Sequence, residues 1–104
     1  MTLKVRWSRR ATNQLVAATD YLTEQRPGLG HDLDEIVRWM THVIVRHPAT
    51  YPRVPGITEG EVRRGLIRRF NYWLIYEVLE SRGEIVILSL WHTSRRPEGW
   101  RRSR

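Results

Sequence analysis

The sequence contains no cysteine and a single lysine. The missing cysteines exclude a disulfide framework, a thiol nucleophile and thiolate metal sites, and they suit a reducing compartment. The shortage of lysine is informative because the chain is strongly basic, with 18 Lys and Arg against 11 Asp and Glu for a net charge of +7, so 17 of the 18 cations are arginines. Arginine presents a planar fork of donors that fits phosphate and carboxylate in pairs, so the expected partner is anionic, either nucleic acid or an acidic protein segment. Also lacking is any apolar run near the ~18 residues that would span a bilayer, or the apolar core of a signal peptide. The expectation is a soluble, cytoplasmic protein with no membrane contact. His31, His42 and His47 lack metal-ligand spacing to one another or to carboxylates and read as surface residues, and neither metal nor cofactor is expected. Phenylalanine occurs once, but five tryptophans and four tyrosines within a 40% hydrophobic composition are enough for a core, and 104 residues make one domain.

Leu3, Val5 and Trp7 alternate with Lys4, Arg6 and Ser8 as in a half-buried first strand. Ser8 stands where a helix cap is wanted, and Ala11, Leu15, Ala18 and Leu22 then form one helical face up to about Gln25. Arg26-Pro27-Gly28 breaks this helix. A second, more strongly patterned helix follows from Leu29 to Arg46, with Leu33, Ile36, Val37, Met40, Val43 and Ile44 on its apolar side and Pro48 after its end. The pair forms an αα-hairpin whose apolar face must cover a sheet.

Residues 48–60 hold three of the five prolines and read as a crossing loop. Three strands follow. The first, from Glu61 to Arg68, carries charge on both faces and suits a sheet edge or a place beside a site. The second, from Phe70 to Leu79, is apolar on both faces and reads as central, and the third, Glu84 to His92, is nearly as apolar. The fold class is therefore α+β: an N-terminal strand, an αα-hairpin, then a three-stranded antiparallel meander completing a mostly antiparallel sheet packed on the helices. Residues 61–104 carry 10 basic and 5 acidic groups (+5) against 8 and 6 (+2) for residues 1–60, so the sheet end is the electropositive end. Residues 97–104 read as a frayed basic tail with Trp100 as its one anchor.

Trp7-Ser8 before a helix with Ala11, Val62-Arg63 followed by Leu66, Leu74-Ile75-Tyr76-Glu77-Val78, and Ile87-Leu88-Ser89-Leu90-Trp91-His92 leading to Arg95-Arg96-Pro97 occur in the order and spacing of one family. The chain resembles the superfamily of bacterial type II toxin–antitoxin toxins that contains the ParE and RelE branches. The resemblance implies a toxin with a cognate antitoxin as partner. It also implies one of two targets, DNA gyrase for a ParE-like protein inhibitor or ribosome-bound mRNA for a RelE-like endoribonuclease.

On the nuclease alternative, Glu61 is the candidate base, Arg63 and Arg68 the phosphate clamps, with Arg64 as a further candidate, and His92 the acid for the leaving oxygen. Three departures from the nuclease pattern weigh against it. Trp73 replaces a cation three residues before Tyr76, Thr93 replaces an aromatic after His92, and the three C-terminal strands have no lysine. The favoured reading is ParE-like, with no catalytic residue and with Arg63, Arg64, Arg68, Arg69, Arg95 and Arg96 contacting antitoxin or target. A basic nucleic-acid-binding module with no toxic role is the remaining alternative. His92 also reads simply as a hydrogen-bonded structural histidine, Arg63 as the cross-strand partner of Glu61 or Glu77, and Trp73 and Tyr76 as core.

Overall fold

The computed structural model describes residues 2–102. Strand β1 (Lys4–Trp7) leads into helix α1 (Arg9–Gln25). Ser8 does two jobs at the junction: its hydroxyl oxygen accepts the Ala11 N–H at 3.0 Å as an N-cap, and its O–H donates to the Leu88 carbonyl at 3.2 Å. Three residues separate α1 from helix α2 (Leu29–Arg46), and Gly28 makes that turn possible by adopting φ +94°, a left-handed conformation that a side chain resists. Both helices have the expected limits, and Leu33, Val37, Met40 and Ile44 are the buried stripe of α2.

Strands β2 (Glu61–Ile67), β3 (Tyr72–Leu79) and β4 (Glu84–His92) form the meander. The sheet order is β1-β4-β3-β2, so β2 lies at an edge and β3 is interior, as the charge pattern requires. Only β1 with β4 is parallel, with Val5 opposite Ile85 and Trp7 opposite Ile87. The edge of β2 is partly occupied: Val54 N–H donates to the Val62 carbonyl at 2.9 Å and Arg64 N–H to the Pro52 carbonyl at 3.0 Å. Val5, expected half-buried, is 41% exposed because β1 is the opposite edge of the sheet.

Two cores lie on the two faces of the sheet. Against the helices, Leu74, Tyr76, Val78, Ile85, Ile87 and Leu90 pack with Leu33, Val37, Met40 and Ile44. On the outer face a smaller cluster joins Val54, Val62, Ile75, Trp91 and Trp100. A bulge in β4 makes this division possible. Ile75 pairs with Ser89 but Tyr76 pairs with Ile87, so Leu88 has no partner and both Ile87 and Leu90 face the helices despite their odd spacing. Gln14 of α1 satisfies the bulge, its Oε1 accepting the Leu90 N–H at 2.8 Å and the hydroxyl of fully buried Ser89 at 3.0 Å.

Two boundaries differ from the sequence expectation. Arg68–Asn71 form the β2–β3 turn rather than strand, because Asn71 takes φ 59°, a conformation its short polar side chain tolerates. Gly99–Arg102 form a single helical turn, α3, rather than a frayed segment, because Trp100 is inserted into the outer core with 1% exposure. Residues 103–104 of the expected tail lie outside the described residues.

Candidate interaction site

The sequence singles out a carboxylate, a set of arginines and one histidine, and the sheet distributes them over three places. The first is the outer end of β2. Arg63 Nε donates to Glu61 Oε2 at 2.8 Å and its Nη1 to the Tyr51 carbonyl at 2.8 Å, with only 14% of the side chain exposed. The pairing is along one strand, i to i+2, and not across strands to Glu77. Arg63 lies opposite Tyr76, whose hydroxyl donates to the Pro48 carbonyl at 2.6 Å. Burial pushes the Tyr76 phenol up to about 12, against an opposing pull from Arg63.

The second place is the far end of β4. His92 Nδ1 accepts the Ser94 N–H at 3.1 Å and lies 2.7 Å from the Ser94 hydroxyl. The ring meets Tyr72 edge-on at 5.0 Å between centroids. Burial, with a smaller contribution from Tyr21, raises the Tyr72 phenol above its ordinary range. Gln14, Ala17 and Tyr21 of α1, Tyr72, His92 and Arg95 line an open groove of about 510 Å³ there. Tyr21 is 59% exposed on its wall.

These two places are far apart. Glu61 is in register with Val78 and His92 with Tyr72, so the two side chains are separated by six residues along β3, about 20 Å at ~3.3 Å per residue, and by two strand spacings of ~4.8 Å. Glu61 and Arg63 are brought together, but His92 is not brought to them. Arg68 and Arg69 sit in the β2–β3 turn. Arg69 is taken up by Asp32 of α2 at 2.9 Å and lies 5.0 Å over the Phe70 ring.

The third place is the outer face. Trp73 and Trp91 stand directly opposite one another on β3 and β4. The Arg64 guanidinium lies 4.0 Å from the Trp73 ring centroid, and that of Arg95 lies 3.8 Å from Trp91. The chain then folds back over Trp91. Its indole N–H donates to the Arg96 carbonyl at 2.9 Å, and Gly99 lies so close that a Cβ would stand 2.6 Å from the ring. Arg10 of α1 closes the arrangement by donating to the Trp100 carbonyl. Arg101 and Arg64 both border a small cleft of about 170 Å³ whose one acid is Glu98.

Sequence reasoning missed Gln14 and the place of Trp91 beside Trp73, and it took Arg101 only as part of a basic tail. A glutamine on the apolar side of α1 was the available signal for the first. The Trp73–Trp91 pairing required a register that sequence does not supply.

The chain matches the family model of the ParE toxin of the type II toxin–antitoxin system parDE over residues 5–97. Among curated protein sequences there is no match. Two solved structures share the fold. A chain of the chromosomal ParDE system from P. aeruginosa is 18% identical, with a TM-score of 0.71 over 88% of this chain and 96% of that one. The isolated E. coli RelE toxin is 15% identical, with a TM-score of 0.68 over 97% and 94%. At these identities the structural likeness establishes the fold alone, whereas the family match spans the hairpin, all of the sheet but Lys4, and the Arg95-Arg96-Pro97 turn. The chain belongs to the ParE toxin family and is the toxin component of a type II toxin–antitoxin module.

Proposed function

We propose that this toxin arrests growth as a protein inhibitor of DNA gyrase, without nuclease chemistry, and that a cognate antitoxin neutralises it. The observation that carries the reading is the ParE family match across residues 5–97. Geometry supports it. Cleavage through a 2′-hydroxyl needs a base and an acid on opposite sides of one phosphate, within hydrogen-bond reach of the reacting atoms. Glu61 and His92 sit at opposite corners of the sheet, and the Glu61 carboxylate is bound to Arg63.

The antitoxin is expected to contribute an acidic segment. The groove beside α1 offers Tyr21 and Tyr72 for apolar contact and Arg95 for a carboxylate, which suits a short helix or extended peptide. Arg63, Arg64, Arg68, Arg69, Arg95 and Arg96 are the proposed antitoxin or target contacts, with Arg63 and Arg69 already engaged by Glu61 and Asp32. The site of action is the cytoplasm, where gyrase works.

The test is a pair of assays on purified toxin free of antitoxin: gyrase supercoiling with trapping of cleavage complexes, beside translation-dependent mRNA cleavage. Inhibited supercoiling with intact message is the expected result. Cut message with unaffected gyrase would overturn the proposal in favour of the ribosome-dependent endoribonuclease.

A further inference from the structure

The arginines of the two sheet faces are treated differently. On the helix side Arg63 and Arg69 are held by carboxylates at 2.8 and 2.9 Å. On the outer face, among the described residues, Arg64, Arg95, Arg96 and Arg101 make no ion pair within 4.0 Å. Two of them are instead laid on tryptophans that neighbour each other across β3 and β4, about 5 Å apart. An aromatic ring attracts a guanidinium without neutralising it or occupying the donors around its edge. The result is a pair of cations held in fixed positions with their N–H groups unpaired, flanked by Arg96 and Arg101.

We propose that this outer face binds the phosphate backbone of duplex DNA through Arg64, Arg95, Arg96 and Arg101, with Trp73 and Trp91 as the rests that hold the first two in place. A preordered arginine loses less side-chain freedom when it grips a phosphate than a free one does. The tryptophan faces themselves do not serve as base-stacking platforms. Trp91 is buried, and Trp73 has Arg64 over its ring. That favours contact with the backbone of a duplex, without sequence preference, over stacking on an unpaired strand. The inference rests on the gyrase reading and deepens it, since gyrase acts on duplex DNA. It places this toxin against the DNA as well as the enzyme.

The experiment is equilibrium binding of a fluorescein-labelled 20-base-pair duplex to purified toxin without gyrase, across a salt series, with a single-stranded RNA of equal charge and polyglutamate as competitors. Each phosphate contact contributes a slope of about −0.9 in log affinity against log salt. R64Q/R95Q and R96Q/R101Q are each expected to weaken binding roughly tenfold or more and to reduce the slope by about 1.8. R38Q/R46Q removes the same charge from α2 and is expected to leave both nearly unchanged. The R96Q/R101Q variant replaces two exposed side chains, so it keeps the test decisive should R64Q/R95Q fail to fold. Binding by R64Q/R95Q and R96Q/R101Q as tight as the parent's, or tighter binding of the RNA, or equal competition by polyglutamate, would overturn the assignment. Duplex binding with unaffected supercoiling would sink the gyrase reading and leave this one standing. Inhibited supercoiling without duplex binding would do the reverse.

Discussion

The two faces of the sheet solve the same problem by different means. The helix face is covered by two long amphipathic helices, and its core runs from Leu3 to Leu90. The outer face has no helix of comparable length to cover it. Its core is five buried side chains drawn from a loop, three strands and a four-residue helical turn, with Trp91 and Trp100 as the largest pieces. A face covered in this way keeps its surroundings open. Cations on it have no helix bringing carboxylates to them, which is why Arg64 and Arg95 rest on rings while Arg69 has Asp32.

The contrast is sharpest in stability. Truncating Leu74, fully buried beneath the helices, is expected to cost about 3 to 4 kcal/mol, read as a lower urea midpoint for the whole chain. Trp100→Ala is expected to cost about 3 kcal/mol, the low end for such a truncation because loop 54–60 can close on the space. Here hydrogen exchange should separate the faces: amides around Val54, Val62 and Trp91 lose protection, while those of α2 keep theirs. Global loss of protection in W100A would show that the outer cluster is part of one cooperative core.

Gln14→Ala is expected to cost about 2 kcal/mol by orphaning the Leu90 N–H and the Ser89 hydroxyl, with Q14E as the conservative comparison. The smallest effect concerns pH. Tyr76 is raised in the folded chain to about 12, so its contribution is fully present below its unfolded value near 10 and fades as pH climbs from 10 towards 12. Stability over that range should fall by up to about 2 kcal/mol more in the parent than in Tyr76→Phe, measured by urea titration at successive pH values. An equal fall in both would remove Tyr76 from the account.

Most of the helix side was legible in the sequence. A 3.6-residue period, a serine cap, Pro27-Gly28 and Pro48 set the limits of both helices, because these are local signals. The edge position of β2 was legible from charge on both faces. The bulge at Leu88 was not, since in Ile85–Leu90 apolar residues fill either parity and a change of face leaves no mark. The turn at Arg68–Asn71 was obscured for a similar reason, Phe70 continuing the alternation of β3, although Asn71 was the residue best suited to the left-handed conformation. As for the site, residue types pointed to anion recognition, and Glu61 with Arg63 form the pair that their spacing allowed. The carboxylate-free arginines on tryptophan depend on strand register and on the fold-back of 95–100, both long-range properties.

The parallel pairing of β1 with β4 has a consequence for how the protein is made. Val5 waits for Ile85, eighty residues later, and β4 is also the interior strand that joins β1 to the rest of the sheet. During synthesis from the N-terminus, β1 and the hairpin emerge with their apolar faces uncovered, and no partial sheet can include β1 until residues 84–92 are free. A chain interrupted between Leu79 and Glu84 therefore has both helices and the β2–β3 pair but no seat for its first strand.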